Sequence, residues 1–165
     1  MNKIRILLLS DTHGDIEAIN NIIKNVKHDY SIITGDFVCD DSIINKNFTH
    51  AVRGNNDFYS SYPDYLDFEI SGIKFHIEHG HLSGSYSQLD DYDFMHKKLL
   101  EYKCSVLVHG HTHIPKIFKY KEGIVINPGS TTLPRGGSNP SYGIIEIDSK
   151  NNLSCKLFDY KKEQF

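Results

Sequence analysis

The sequence predicts an α+β domain with α/β character, in which two β-sheets pack face to face and helices lie outside them. Three observations lead there. Many short apolar runs end in glycine, two stretches alternate apolar and polar residues with a period of two, and few segments show helical spacing. At 165 residues, 39% hydrophobic and 24% charged, the chain has the composition of one soluble globular domain spanning 1–165 and is long enough to bury a sizeable core.

The first run, Ile4-Arg5-Ile6-Leu7-Leu8-Leu9, passes straight into Ser10-Asp11 with no small-residue cleavage site, so it reads as a buried strand rather than a signal peptide. Ser10-Asp11-Thr12-His13-Gly14-Asp15 follows, and Ile16, Ile19, Ile22, Ile23 and Val26 then recur at helical spacing behind Asp15, a good N-cap. Tyr30–Thr34 is a second strand ending at Gly35-Asp36, and Thr49–Arg53 a third ending at Gly54-Asn55-Asn56-Asp57. Tyr65–Ile70 and Ile73–Glu78 alternate around Ser71-Gly72 as a hairpin, whose second strand ends in His79-Gly80-His81. Tyr86, Leu89, Tyr92 or Asp93, Met95 or His96, and Leu99 or Leu100 form a helical stripe expected to face the core.

Ser105-Val106-Leu107 leads into Val108-His109-Gly110-His111-Thr112-His113, where a period of two would send all three histidines to one side. A hairpin over Lys116–Tyr120 and Ile124–Ile126 follows, then Asn127-Pro128-Gly129-Ser130, a Gly- and Pro-rich loop through Arg135, and two last strands at Tyr142–Ile147 and Leu153–Phe158. No linker, low-complexity tract or solenoid repeat interrupts this order.

A net charge of −3 argues against a nucleic-acid groove or a membrane-surface patch. No apolar run approaches the roughly 20 residues that cross a bilayer. Three scattered cysteines without CxxC spacing make a disulfide framework unlikely and point to a reducing cytoplasm.

Five strand ends offer metal-binding side chains: Asp11 with His13, Asp36, Asn55, His79, and His111 with His113. Singly, these residues suit caps and turns. Jointly, always after an apolar strand, they suit a metal site. Carboxylates, imidazoles and an amide oxygen fit Mn²⁺, Fe, Zn²⁺, Ni²⁺ or Co²⁺, and seven donors exceed one tetrahedral zinc. Two ions about 3.5–4 Å apart, sharing a carboxylate, would use them for displacement at phosphorus.

The ordered motifs Asp11-Thr12-His13, Gly35-Asp36, Gly54-Asn55-Asn56-Asp57, His79-Gly80-His81 and Gly110-His111-Thr112-His113 resemble the calcineurin-like metallophosphoesterases. The short chain and Asn127-Pro128-Gly129-Ser130 are similar to their small bacterial and archaeal phosphodiesterase branch. The resemblance implies a four-layer αββα sandwich. It also implies two divalent ions, Mn²⁺ first among them, one held by Asp11, His13, Asp36 and His113 and the other by Asp36, Asn55, His79 and His111. Asp36 would bridge, and Asp36, Asn55, His79 and His111 would be the catalytic residues. The implied activity is hydrolysis of a small phosphodiester by a metal-bridging hydroxide. Phosphomonoester hydrolysis on the same site, or a non-catalytic scaffold role like that of the retromer subunit resembling this branch, are the alternatives. Relatives commonly form homo-dimers or tetramers.

Many relatives carry a histidine where this chain has Asn56, so leaving-group protonation there would be missing and good leaving groups favoured. Asp57 is expected to orient a histidine or a water, and His81 and His109 to support ligands or wall the cavity. Arg135, Ser130 and Asn127 could edge the cleft, with Arg135 on a phosphate oxygen. Tyr59, Tyr62 and Tyr65 could wall a nucleoside or aryl pocket, but packing under a loop is the preferred reading; His76 reads as a packed strand residue, and His28, His50 and His96 as structural.

Overall fold

A computed structural model describes residues 2–165. Its strands are β1 (Ile4–Leu9), β2 (Tyr30–Thr34), β3 (His50–Val52), β4 (Tyr65–Ile70), β5 (Ile73–Glu78), β6 (Val106–Val108), β7 (Lys116–Lys119), β8 (Ile124–Asn127), β9 (Ser141–Ile147) and β10 (Leu153–Asp159). The helices are α1 (Ile16–Asn25), α2 (Asp41–Asn47), α3 (Tyr86–Leu89) and α4 (Tyr92–Glu101). The strands form two five-stranded sheets, β10-β9-β1-β2-β3 and β4-β5-β6-β8-β7. Each has a parallel centre, β1-β2-β3 or β5-β6-β8, and antiparallel strands outside it. Parallel centres put successive strand ends, and so successive loops, at one edge.

Three apolar layers hold the sheets and helices together. On β1, Leu7 and Leu9 face Ala18, Ile19 and Ile22 of α1, while Ile6 and Leu8 pack with Phe75, Ile77, Val106 and Val108 of the other sheet. Such two-sided burial explains why β1 reads as a nearly unbroken apolar run. Leu107 and Val125 turn outward to meet Met95 and Leu99 of α4. The result is the helix–sheet–sheet–helix sandwich. No helix among the described residues is long and apolar enough to cross a membrane.

Local chemistry sets the boundaries. Asp15 Oδ1 accepts from Ala18 N at 3.0 Å and starts α1. Ser71 and Gly72 take φ +54° and +79°, the left-handed pair that a tight hairpin turn needs. Three features depart from the sequence reading. α2 was not expected, because seven residues give too little periodicity, although Asp40 caps it by accepting from Ser42 N at 2.8 Å. The stripe after Tyr86 is two helices separated at Asp90-Asp91, where Asp91 Oδ2 accepts from Phe94 N at 2.7 Å. Leu89, Met95 and Leu99 are buried as expected, whereas Tyr86 and Tyr92 are exposed. Lastly, β6 stops at Val108, and His111 and His113 take φ +73° and +62°, so strand alternation does not orient them.

His76 is buried on β5 and stacks on Tyr102, centroids 3.9 Å apart, and on Tyr65. Its Nδ1 lies 2.7 Å from Asp67 Oδ1 and its Nε2 2.7 Å from Glu78 Oε1. Burial alone would lower the His76 pKa, but Glu78 and Asp67 outweigh it and the pKa rises. For Glu78 burial acts upward, and His76 and Ser83 bring the pKa below its ordinary value. The His76 contribution to stability is complete below its ordinary 6.5 and fades as pH climbs through the raised folded value; that of Glu78 is complete above 4.5 and fades as pH falls through the lowered one. His76→Gln should therefore cost most between pH 4.5 and 6.5, about 3 kcal/mol by urea unfolding. An equal loss at strongly alkaline pH would contradict the ion pair.

Candidate metal centre

The loops after β1, β2, β3, β5 and β6 converge at one edge of the sandwich and carry the residues singled out above. Asp11, His13, Asp36, His111 and His113 all sit at positive φ, between +43° and +73°. Asp, Asn and His tolerate this region better than most side chains, but each such residue still costs about 1–3 kcal/mol unless its surroundings fix it. Here they do. Asp11 N donates to Gly35 O at 2.9 Å, His13 N to Asp36 O at 2.9 Å, and Gly110 N to His79 O at 3.0 Å. Two glycines are required by close approach: a Cβ on Gly54 would collide with Asp36 Oδ1, and one on Gly110 with Ser10 Oγ and Asp11 Oδ2.

Asp11, His13, Asp36 and His113 each bring a donor atom within 4.8 Å of the others'. His113 Nε2 is 3.1 Å from Asp11 Oδ1 and 3.2 Å from His13 Nε2, which itself lies 3.8 Å from Asp11 Oδ1 and from Asp36 Oδ2. His79 Nε2 is 3.4 Å from Asp36 Oδ2, and His111 Nδ1 approaches His79 Nε2 at 3.2 Å. Asp11 Oδ1 is buried and has no hydrogen-bond partner. Its close neighbour His113 Nε2 does not serve, because His113 Nδ1 lies 2.6 Å from Leu133 O, a carbonyl that can only accept. The ring proton is therefore on Nδ1, and in the neutral ring a lone pair on Nε2 faces a carboxylate oxygen. His79 Nδ1 likewise donates, to Thr34 O at 2.7 Å, so Nε2 is the nitrogen that turns to Asp36 and offers a lone pair once it is deprotonated. Donor lone pairs directed at one another across 3–4 Å suit a cation between them.

Protonation follows from the same contacts. Burial lowers the His13 pKa, and burial with the His79 charge lowers that of His111 to about 4, which favours neutral imidazoles. Burial acts downward on His79 too, but the Asp36 bond and the Asp11 and Asp36 charges outweigh it and push its pKa up to about 8. Burial opposes ionisation of Asp36; bonds from His79 and Asn56 overcome it and hold the carboxyl below the usual carboxylate range.

The remaining candidates divide into braces and edges. Asp57 does not orient a histidine: Oδ2 accepts from Asp36 N and Gly54 N, both at 2.7 Å, and Oδ1 from Val38 N at 2.9 Å. It ties the β2 loop to the β3 loop. Ser130 is wholly buried, its Oγ donating to Asp11 O at 2.6 Å and accepting from Leu133 N at 2.8 Å, so it braces the loop rather than facing a substrate. Asn127 likewise donates to Thr112 Oγ1 at 2.8 Å. His109 is buried with Nδ1 3.1 Å from Gly110 O, and lies outside the four-residue donor group. Asn55 is exposed, whereas Asn56 donates to Asp36 through its backbone N at 2.9 Å and its Nδ2 at 2.8 Å. The His81 ring lies 5.4 Å from that of His79. Arg135 is exposed, its guanidinium 5.9 Å from the Tyr86 ring, and Tyr86 stacks on His111 at 4.6 Å. Helical spacing assigned Tyr86 to the core, and nothing local marked it as a neighbour of the site. Ser10, which donates to Asp11 Oδ2 at 2.6 Å, was also missed.

A two-sheet sandwich that gathers buried carboxylates and imidazoles at the ends of its parallel strands has the architecture of a metal-dependent hydrolase. The model of the calcineurin-like phosphoesterase superfamily domain matches residues 4–150, and the chain belongs to that superfamily. Membership implies a phosphoester hydrolase. A protein of Mycoplasma genitalium described as a probable metallophosphoesterase is 31% identical over 96% of this chain and 98% of its own. A solved protein of Streptococcus pneumoniae, described as a predicted phosphoesterase, superposes with a TM-score of 0.77 at 26% identity, covering 97% of this chain and 99% of that one. The phosphodiesterase YfcE of Escherichia coli is 46% identical over 43 residues, 26% of this chain and 23% of that protein.

Asp57→Ala would leave three backbone N–H groups without their acceptor. The expected loss is about 3 kcal/mol or more in urea unfolding, smaller in Asp57→Asn, which retains one acceptor oxygen. A loss in Asp57→Ala below about 1 kcal/mol would show that these loops are held by something else.

Proposed function

We propose that this protein is a phosphodiesterase that works with two divalent metal ions, manganese first among the candidates, on small diesters in the cytoplasm. Asp11, His13, Asp36 and His113 would hold one ion. Asp36, Asn55, His79 and His111 would hold the other, with the exposed Asn55 turning inward. The observation that carries this reading is the buried, unpartnered Asp11 Oδ1, 3.1 Å from a His113 nitrogen whose opposite side is already bonded. Ions so placed would supply the positive charge that lowers the pKa of a water and steadies the oxygens around phosphorus.

The chain's own groups define the rest. The lowered pKa values of His13 and His111 keep these rings free to donate lone pairs at neutral pH. The backbone N–H and side-chain amide of Asn56 fix the orientation of Asp36. With asparagine and not histidine at 56, no imidazole stands there to protonate a poor leaving group, which supports diesters with stable leaving oxyanions. The YfcE likeness supports the same preference.

Metal-stripped protein assayed on bis(p-nitrophenyl) phosphate and p-nitrophenyl phosphate, with Mn²⁺, Ni²⁺, Zn²⁺ or Mg²⁺ restored singly, should turn over the diester faster and only with metal. Asp36→Asn should lower that activity on the order of 100-fold or more. Faster monoester turnover would replace this reading with a phosphatase, and metal binding without hydrolysis of either would leave a scaffold.

His79, with its pKa pushed up to about 8, is mostly protonated at neutral pH and must lose that proton to ligate. Mn²⁺ titrations in buffers of different ionisation enthalpy should show release of close to one proton at neutral pH, with apparent affinity rising to about pH 8 and then levelling. Binding without proton release would show that His79 is already neutral in the metal-free protein and overturn its raised pKa.

A further inference from the structure

Beside the cluster opens a cleft of about 820 Å³, bounded by His13, Val38, Cys39, Asn56, Phe58 and Tyr59. The cleft reaches the donor group at His13, which belongs to both. Its apolar lining is uncovered: Val38 is 45% exposed, Phe58 77% and Tyr59 fully so. Exposed apolar side chains beside a cluster of polar donors are the kind of lining that ligand sites use. Val38 adds an independent sign. It is β-branched yet sits at φ +49°, a conformation such side chains rarely adopt, and its N–H is fixed on Asp57 Oδ1 at 2.9 Å. Outliers held in place this way collect at ligand clamps. The carboxylate that holds Val38 also holds Asp36 and Gly54, so the apolar wall and the donor cluster share one brace.

We propose that this cleft is a subsite for a flat, neutral aromatic group of nucleobase type carried by the phosphoester. The phosphoryl lies at the His13–Asn56 end and the ring against Phe58 and Val38. This orientation rests on the phosphoesterase reading. The volume falls within the roughly 300–1,000 Å³ of small-ligand sites and accommodates a nucleoside-sized substituent. Asp40 and Asp41 also line the cleft, which disfavours a second anionic group and favours a ring with N–H donors.

Calorimetry on the Mn²⁺-loaded protein with adenosine 5′-monophosphate, ribose 5-phosphate and inorganic phosphate tests this. Wild type should bind the nucleotide about 10-fold or more tighter than ribose 5-phosphate, the scale of one base–aromatic stack. Phe58→Ala should erase that ratio while leaving ribose 5-phosphate affinity and thermal unfolding unchanged. A preference for a nucleoside 5′-(p-nitrophenyl phosphate) over methyl p-nitrophenyl phosphate, which shares its leaving group, should fall by the same factor. Equal binding of nucleotide and sugar phosphate by wild type, or a ratio that survives both Phe58→Ala and Val38→Gly, overturns the subsite. Diester turnover without ring preference defeats the subsite alone; a Phe58-dependent ring preference without diester turnover defeats the phosphodiesterase reading alone.

Discussion

Asp11 and Asp36 are buried side by side, 0% and 2% exposed, and the rest of the structure answers to that constraint. Two carboxylates in a poorly solvated site repel each other and resist ionisation unless positive charge or hydrogen-bond donors compensate. The protein supplies donors to three of the four oxygens. Asp11 Oδ2 accepts from Ser10 Oγ and His111 N, Asp36 Oδ1 from Asn56 N, and Asp36 Oδ2 from Asn56 Nδ2. The fourth, Asp11 Oδ1, is left to face imidazoles. Those imidazoles come from both sheets, His13 from the loop after β1, His79 from the loop after β5 and His113 from the loop after β6. Neither sheet alone could assemble the cluster.

The sandwich core makes such an arrangement possible because it fixes where strand ends stop. β1 and β6 are buried on both faces, so Leu9 and Val108 have little freedom to shift, and the loops beyond them start from defined points. From there an extended chain would carry its side chains past the centre. The left-handed residues turn the backbone sharply enough to bring Asp11 and His13, and again His111 and His113, back toward it. Packing in the apolar layers thus offsets the strain stored at the tips.

Much of this was readable from the residues, for reasons that differ by feature. The long strands and the Ser71-Gly72 turn have a period or a turn chemistry confined to a few neighbouring residues, and Asp15 caps its helix by accepting from a backbone N–H three residues on. The donor residues were visible because each follows a buried strand and a polar or glycine punctuation. What escaped was non-local. Asp57 holds a backbone 21 residues away and Ser130 one 119 residues away, and no spacing rule reaches that far. Tyr86 matched a core stripe only because a four-residue helix and a longer one were read as one. The Asn55-Asn56 pair shows a finer limit: the sequence places an amide at the site, but which of two adjacent amides meets Asp36 depends on the backbone turn.

That turn also separates the cluster from its surroundings. The donors stand on loops tied by backbone bonds to neighbouring strands, whereas Phe58, Tyr59, Tyr86 and Arg135 are exposed side chains whose replacement removes little packing. A family built this way can change what lies beside the centre without rebuilding the centre. Asp57 is the exception. Its Oδ2 positions Asp36 and Gly54 and its Oδ1 positions Val38, so one carboxylate sets both the cluster's geometry and the shape of the neighbouring wall. Burial raises the Asp57 pKa against the bonds from Gly54 and Val38 that stabilise its anion. The donor cluster and the neighbouring wall are therefore tied together through this buried side chain rather than through the exposed residues of the wall.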